Sequence, residues 1–486
     1  MLKKEEFYNM AQKKILYVTS ECKGFAVTGG LAEVAGSLPK AIMTANKNYK
    51  VKVLMPLYKT IHENYSSELS LVGSTTVVLA WRSVYCGVYT IKKDDVEYYF
   101  IDNKYYFDRD QLYGYYDDGE RFAYFSKAVF TAMEIMKFYP DFIHTNDWHT
   151  ALVNVYLDIL YKKQGYLMDI KSIFTIHNIE YQGIYDKFFL ENVVGIDELY
   201  TGILEYNGLI NLMKGAIVCS DVITTVSPRY AKEISTTAYA CGLEHIIRTN
   251  NQKLIGIING IDTEFYNPLT DKALKYNFDV DHFSEKSENK KELQKALGLE
   301  VNEKVCLISV VSRLVQHKGM DLILDRFQDI MQENIQFILL GTGEKYYEDK
   351  FREFASWYPG RVSTLITFNN QLSKRIYAGS DLFLMPSKME PCGLSQMIAS
   401  RYGTIPIVRA TGGLFDTIRD YSNDGNGFVF KDYDSYKMLE KIKEAVHLFQ
   451  NQEEFVKLAQ KVMSVDFTWN KSAKEYIEMY QNISKK

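Results

Sequence analysis

Short apolar runs alternate with stretches of helical periodicity along most of the chain. In the first half the apolar runs are KILYVTS, KVKVLMP, VEYYFID, DFIHTND, KSIFTIHN, DVITTVS and KLIGIING, with helical patterns between them, as at residues 121–138 and 150–161. After a more polar stretch at residues 267–289, a second series follows with VCLISVVSR, IQFILLG, VSTLITF, DLFLMPS and TIPIVRA. Such alternation is typical of parallel α/β folds, so the pattern predicts two doubly wound domains joined near residues 261–289.

Polar residues cluster at the ends of these runs, where doubly wound folds bind their ligands. The clusters are HTNDWHT, TIHNIEYQG, SRLVQHKG and PSKMEPCGLSQ. Each has a structural interpretation as well as a functional one. We expect His144 to be a core histidine, whereas Asp147 could serve only to cap the next helix. Arg313 and Lys318 could be solvated charges, and Cys392 has no evident partner that would activate it as a nucleophile.

Two similar glycine loops each follow an apolar run and precede a helical pattern. They are VTGGLAEV at residues 27–34 and ATGGLFDT at residues 410–417. Thr28 is a candidate helix N-cap, and Gly29 and Gly30 would let an anion approach the free N–H groups of a helix start. A tight strand-to-helix turn without a ligand is the alternative. The pair of loops suggests one phosphate-type loop per domain.

Composition narrows the class of protein. With 486 residues, 47% hydrophobic and 24% charged, the chain is expected to be a soluble globular protein with more than one domain. A net charge of −4 without a basic stripe argues against nucleic acid as a partner. No apolar run reaches membrane-spanning length, and the N-terminal MLKKEEFYNMAQKK lacks the apolar core of a signal peptide. The six cysteines form no C-x-x-C pair, which argues against a zinc site and fits a reducing cytoplasm.

Taken together, the clusters suit a diphosphate leaving group. Arg313 and Lys318 follow a strand and precede a helix, and two cations beside glycine loops would stabilise the negative charge that develops on a diphosphate. Glu390 could bind sugar hydroxyls, and Gly393 would expose backbone N–H groups to a phosphate.

These residues resemble the bacterial glycogen synthases and plant starch synthases, which are retaining glycosyltransferases of the GT-B fold. The family motifs are the K-T-G-G-L loop, H-D-W-H, T-x-H-N-x-x-Y-Q-G, N-G-I/V-D, S-R-L-x-x-x-K-G, E-P-C-G-L-x-Q and a late T-G-G-L. Here they fall in this order at residues 28–34, 146–149, 175–183, 259–262, 312–319, 390–396 and 411–414. Seven motifs in order over nearly the whole chain make the resemblance specific.

The resemblance implies a fold and a domain division. We expect an α/β protein with two Rossmann-like doubly wound domains that face a deep inter-domain cleft. Residues 1–260 would form the acceptor-side domain and residues 261–465 the nucleotide-sugar domain. Residues 466–486 would form a helix that crosses back to the first domain.

The resemblance also implies roles for individual residues. The expected reaction transfers glucose from a nucleotide-glucose, ADP-glucose in the first place, to an α-1,4-glucan with retention and without a metal or other cofactor. The residues expected to act in catalysis are His177, Asp147, Glu390, Arg313 and Lys318. Donor binding would also use Gly29, Gly30, Asn178, Asn259, Phe368, Cys392, Gly393, Thr411 and Gly412. The glucose and acceptor pocket would include Glu33, Trp148 and Tyr181.

Three positions in the first domain depart from the family pattern. Val27 replaces the lysine before T-G-G, Glu33 replaces an aspartate, and Asn146 replaces the first histidine of H-D-W-H. These departures keep open the alternative of a weakly active paralogue that binds glucan or regulates a partner. UDP-glucose also stays open as the donor, because the choice of base depends on backbone contacts and on packing around Phe368. A glucan phosphorylase would need pyridoxal phosphate and a much longer chain.

Overall fold

The computed structural model describes residues 12–485; residues 1–11, which include most of the segment analysed for a signal peptide, and residue 486 lie outside the described residues. The strands are β1 (Lys13–Val18), β2 (Tyr49–Pro56), β3 (Ser70–Leu79), β4 (Arg82–Lys93), β5 (Val96–Asp102), β6 (Phe142–Asn146), β7 (Lys171–Ile176), β8 (Ile184–Tyr185), β9 (Glu205–Tyr206), β10 (Leu209–Asn211), β11 (Val222–Thr225), β12 (Leu254–Gly256), β13 (Cys306–Val311), β14 (Ile335–Leu340), β15 (Val362–Leu365), β16 (Leu382–Met385), β17 (Ile405–Arg409) and β18 (Phe428–Phe430).

The α-helices of the same residues are α1 (Gly30–Ala45), α2 (Lys59–Tyr65), α3 (Lys104–Phe107), α4 (Asp118–Ile135), α5 (Ala151–Tyr156), α6 (Thr201–Leu204), α7 (Leu212–Cys219), α8 (Pro228–Glu233), α9 (Glu244–Thr249), α10 (Glu285–Ala296), α11 (Met320–Ile330), α12 (Lys345–Trp357), α13 (Asn370–Gly379), α14 (Ser395–Arg401), α15 (Gly412–Thr417), α16 (Ser435–Gln450), α17 (Gln452–Met463) and α18 (Trp469–Ser484). The chain divides into two compact units. The first contains residues 12–226, 231–257 and 469–485, and the second contains residues 227–230 and 258–468.

The first unit is built on a nine-stranded sheet with the order β12-β11-β7-β6-β1-β2-β5-β4-β3. The seven strands from β12 to β5 run parallel, and their apolar side chains are buried along β1 and β6. From β1 the chain moves outward to β2 and beyond, and it returns on the other side of β1 at β6. The carboxyl ends of β1 and β6 therefore form a topological switch point, where open α/β sheets bind ligands.

The edge of this sheet differs from the parallel series that the sequence predicts. Strands β3 and β4 form an antiparallel hairpin, and β4 pairs antiparallel with β5. Most side chains of β3 are exposed, so its apolar residues do not form the continuous buried run of a parallel strand. A small antiparallel sheet of β8, β10 and β9 is also absent from the predicted series.

The second unit has a six-stranded parallel sheet with the order β15-β14-β13-β16-β17-β18. Its first five strands in chain order correspond to the five apolar runs of the second series. The chain leaves β13 for β14 and β15 and then crosses to β16, so a second switch point lies between β13 and β16. The predicted doubly wound α/β class is confirmed.

Helix α18 belongs to the first unit and packs against α1. Its Tyr480 hydroxyl lies 2.6 Å from Nδ1 of His144, whose Nε2 lies 2.6 Å from the Thr175 hydroxyl. Burial lowers the pKa of His144 to about 3, so the imidazole is neutral. The prediction that His144 is a core histidine is confirmed.

Among residues 12–485, no helix is both long and apolar enough to cross a membrane. In that same part of the chain, no group of three or more His, Cys, Asp or Glu side chains is arranged to hold a metal ion.

We predict that Tyr480→Phe lowers the free energy of unfolding by about 1–3 kcal/mol, because His144 Nδ1 would stay buried without a partner. Lys474→Ala, on the exposed face of the same helix, serves as the control and should change it by less than about 0.5 kcal/mol. Urea unfolding followed by circular dichroism measures both. Equal unfolding midpoints for the two variants would contradict the stabilising role of this hydrogen bond.

Candidate active site

A buried carboxylate holds the first glycine loop at the end of β1. Glu21 accepts hydrogen bonds from the backbone N–H groups of Thr28 (2.7 Å) and Gly29 (2.9 Å) and from the hydroxyls of Thr28 (2.6 Å) and Tyr113 (3.0 Å). Four donors on one carboxylate fix the path of this loop. Glu21 is not among the predicted site residues, although a carboxylate just past an apolar strand is the same signal that marked Asp147.

The predicted N-cap role of Thr28 is wrong. Helix α1 begins at Gly30, Gly29 occupies the cap position without a side-chain cap, and both donors of Thr28 bind Glu21. A Cβ at Gly29 or Gly30 would meet no atom within 4 Å, so the space over the loop is open to a ligand. Because the Gly29 N–H is already bonded to Glu21, an anion there would meet Gly30 and the N–H groups of the first helical turn.

Asp147 lies at the end of β6 with a strained backbone, at φ 55° and ψ −179°. Its carboxylate accepts hydrogen bonds from the backbone N–H groups of His177 (2.8 Å) and Asn178 (3.4 Å), which follow β7. It makes no side-chain bond that caps the next helix, so the capping interpretation is wrong. Burial raises its pKa to about 7. Asp147 therefore joins the ends of two neighbouring strands.

The remaining predicted residues of the first unit lie around this point. The His177 ring donates from Nε2 to the Asn146 Oδ1 at 2.9 Å, and burial lowers its pKa to about 3. Trp148 follows Asp147 and contacts Gly183, where a Cβ would overlap the indole ring. Tyr181 is half-exposed and lies on the loop between His177 and Gly183, without a hydrogen bond to either.

In the second unit, Lys318 and Glu390 form an ion pair with 2.6 Å between Nζ and Oε2. Ser387 donates to the same carboxylate oxygen at 3.0 Å. The loop that holds Lys318 and the loop that holds Glu390 come close at Gly319, which has φ 79°. A Cβ at this position would overlap the carbonyl oxygen of Pro386, so only glycine allows the approach. These groups follow β13 and β16, so the predicted cation and the predicted sugar-binding carboxylate meet at the switch point.

Arg313 is exposed and makes no ion pair among residues 12–485. Its loop packs on a second loop that follows β14. A Cβ at Gly341 or Gly343 would overlap the carbonyl oxygens of Ser312 and Leu314, respectively. This loop is not among the predicted site elements, although glycines directly after a strand are the signal that marked the first glycine loop.

The glycines of the second loop pack against neighbouring backbone, whereas those of the first loop have open space around them. Gly412 has φ 43°, and a Cβ there would overlap the Glu390 carbonyl oxygen, while one on Gly413 would overlap that of Cys392. The Gly413 N–H lies 3.2 Å from the Glu390 carbonyl oxygen and 3.1 Å from that of Pro391. These glycines therefore allow two backbones to touch, next to the buried Thr411.

Four further predicted residues lie around this loop or at the sheet edge. Burial raises the pKa of the Cys392 thiol to about 12, which favours the protonated thiol; that Cys392 is no nucleophile stays a prediction. Asn259 is buried, and its Oδ1 has no hydrogen-bond partner among the described residues. Gly393 has φ 70°. Phe368, beyond β15, is 80% exposed, which leaves its ring open to stack on a base.

Comparison with known proteins gives matches over nearly the whole chain. A family model described as starch synthase catalytic domain matches residues 14–249, and one described as glycosyl transferases group 1 matches residues 289–462. A glycogen synthase of Geobacillus thermodenitrificans is 44% identical over 97% of this chain and 98% of its own. One of Lactobacillus acidophilus is 45% identical over 96% and 99%.

A solved structure gives the same result. The catalytic domain of Starch Synthase IV from Arabidopsis thaliana, bound to ADP and acarbose, matches with a TM-score of 0.90 and 33% identity over 98% of this chain and 100% of its own. The chain belongs to the glycogen and starch synthase family. It is a glycosyltransferase of the GT-B fold, as its motifs indicate. Sucrose-phosphate synthase from Thermosynechococcus elongatus shares the fold at a TM-score of 0.60 and 14% identity.

Two of the departures from the glycogen and starch synthase pattern lie on the first glycine loop. Val27 is half-exposed, so the side chain at the family's lysine position points at least partly to solvent. Glu33 on α1 pairs with Lys23, with 2.9 Å between Oε2 and Nζ. A cation therefore lies next to the loop, held by the residue that replaces the family's aspartate.

We predict that Gly412→Ala lowers the free energy of unfolding by more than about 1 kcal/mol, because the added Cβ would meet a backbone carbonyl at a positive φ. Gly30→Ala is the control from the open loop: the residue begins helix α1, its added Cβ meets no atom within 4 Å, and the change should not lower stability. Thermal unfolding of both variants measures the difference. If both variants unfold at the wild-type temperature, the second loop is not packed as described.

Proposed function

We propose that the protein elongates α-1,4-glucan by transferring glucose from ADP-glucose to the non-reducing end with retention of configuration. The observation that carries the proposal is the Lys318–Glu390 pair beside the unpaired Arg313, at the switch point of the second unit's sheet. Cations for a diphosphate and a carboxylate for sugar hydroxyls there match the two parts of a nucleotide-sugar. The adenine nucleotide is supported by the ADP bound to the similar starch synthase.

The donor would be held by residues 261–465. Arg313 and Lys318 would bind the diphosphate, and Glu390 the glucose. Phe368 would stack on the base, and backbone groups at Gly393, Thr411 and Gly412 would complete the site. Lys318 neutralises Glu390, which would otherwise be a buried carboxylate bonded only to a hydroxyl. Donor binding would replace this pair with one cation–diphosphate contact and one carboxylate–hydroxyl contact.

Residues 1–260 would supply the glucose and acceptor side. His177 and Asn178 would contact the donor sugar, with Glu33, Trp148 and Tyr181 around the glucose and the glucan end. Asp147 binds backbone N–H groups of His177 and Asn178, so we assign it the positioning of that loop. Gly30 and the first turn of α1 would face the phosphates.

The proposed chemistry needs no protein nucleophile. The incoming 4-hydroxyl would attack on the face from which the diphosphate leaves, and a diphosphate oxygen would take the hydroxyl proton. The C1–O bond to the diphosphate breaks as the new C1–O4 bond forms, so configuration is retained. The protein would then contribute positioning and stabilisation of the departing charge.

A transfer assay tests the proposal directly. Radiolabelled ADP-glucose and UDP-glucose, each alone and in competition, are supplied with glycogen, and polymer-bound label is counted. We expect incorporation mainly from ADP-glucose, and the new residues should be released by an enzyme specific for α-1,4 links. A preference for UDP-glucose would overturn the donor assignment, and glucan binding without incorporation from either donor would favour the regulatory alternative.

We predict that Arg313→Ala lowers kcat/KM for transfer about 100-fold, the scale of losing one charge-stabilising group of about 3 kcal/mol. Because Arg313 is exposed and unpaired, its removal leaves the fold intact and isolates the effect on substrate. Arg352→Ala, an exposed arginine of α12, is the control and should be unaffected. A wild-type kcat/KM for Arg313→Ala would refute its contact with the diphosphate.

A further inference from the structure

Asn146, one of the three departures from the family pattern, lies fully buried at the end of β6 between the ends of β1 and β7. Its side-chain amide makes three hydrogen bonds. Nδ2 donates to the Val18 carbonyl oxygen at 2.9 Å, and Oδ1 lies 2.9 Å from both the Tyr17 hydroxyl and Nε2 of His177. The amide is therefore enclosed between a backbone group and two side chains.

The orientation of this amide is dictated by the backbone. A carbonyl oxygen can only accept a hydrogen bond, so the Val18 carbonyl requires the NH₂ end of Asn146. The oxygen end then faces Tyr17 and His177, and it too can only accept. Flipping the amide would set its oxygen against the Val18 carbonyl oxygen, with no proton between them, and the hydrogen bond to the backbone would be lost. A proton must therefore reside on Nε2 of His177.

His177 holds a single ring proton, since burial keeps its pKa at about 3 and the imidazole is neutral. With that proton on Nε2, Nδ1 carries a lone pair and is an acceptor. No described residue donates a hydrogen bond to Nδ1. The carboxylate of Asp147 accepts a hydrogen bond from the backbone N–H of His177. The backbone and the ring of His177 are therefore both held by hydrogen bonds.

We propose that Asn146 is a positioning residue that locks His177 in the Nε2–H tautomer, so that Nδ1 accepts a hydrogen bond from a substrate hydroxyl. The family's histidine at position 146 could face His177 with either an N–H or a lone pair. An amide fixed by the Val18 carbonyl offers only an acceptor. With asparagine at position 146, the Val18 carbonyl of β1 orients the amide, and the amide oxygen then requires a proton on Nε2 of His177. The hydroxyl ligand rests on the proposed function, whereas the tautomer does not.

The tautomer is measured without turnover. The full-length protein is labelled with ¹⁵N-histidine, and ring nitrogens are assigned by two-bond ¹H–¹⁵N correlation, with His177→Gln identifying the His177 signals among the eight histidines. We expect a protonated Nε2 and an unprotonated Nδ1 in the wild type. A protonated Nδ1 in the folded protein overturns the inference, whatever its activity. An inactive protein with protonated Nε2 contradicts the proposed function alone.

Variants link the tautomer to transfer. Asn146→Leu keeps the approximate volume but removes the acceptor, and we expect a mixture of tautomers with kcat/KM reduced about 10- to 100-fold, as for other groups that orient a functional histidine. Asn146→Asp, with a proton on the carboxyl oxygen that faces the Val18 carbonyl, keeps an acceptor toward His177 and should keep Nε2 protonated. Tyr17→Phe removes the other bond to the same Oδ1 and is the matched control, with the wild-type tautomer. A wild-type tautomer in folded Asn146→Leu would overturn the role of Asn146.

Discussion

Direct contact between backbones holds together the loops at the carboxyl edge of the second unit's sheet. Gly319 lies against Pro386 on one side of the loop at residues 386–393, and Gly412 and Gly413 lie against it on the other side. No Cβ fits at any of these three positions. Because the loops touch, the short distance between Lys318 and Glu390 is set by the main chain, and the two side chains need little freedom to meet.

The first unit solves the same problem with carboxylates. Glu21 collects donors from the first glycine loop, and Asp147 collects the N–H groups that follow β7. A carboxylate that accepts several N–H groups replaces the missing hydrogen bonds of loops that end strands. It also leaves the outer surface of the loop open, as the free space over Gly29 and Gly30 shows. The loops at the site of the first unit are thus held by carboxylate side chains, and those of the second unit are held by contacts between backbones.

The sequence predicts the positions of the buried parallel strands, and it predicts candidate site residues where they belong to family motifs. Parallel strands such as β13 and β14 are continuous apolar runs, whereas β3 is largely exposed and β4 alternates between exposed and buried residues, so neither gives such a run. Lys318 and Glu390 both follow strands of one parallel sheet, so the sequence places them at the same edge of that sheet. That they pair does not follow from the sequence, since pairing depends on the contact at Gly319. The two T-G-G-L loops read alike, yet one is open and the other packed. Only three-dimensional neighbours distinguish a glycine with open space over its Cα from one that lets two backbones touch.

The Lys318–Glu390 pair has a consequence for selectivity. An inorganic anion that took Lys318 for itself would leave Glu390 buried with only the Ser387 hydroxyl as partner, and that loss would offset much of the attraction. A molecule with an anionic part and a hydroxyl-rich part satisfies both members of the pair at once. We therefore expect the Lys318–Glu390 pair to disfavour simple inorganic anions, because each would leave the Glu390 carboxylate buried without its cation.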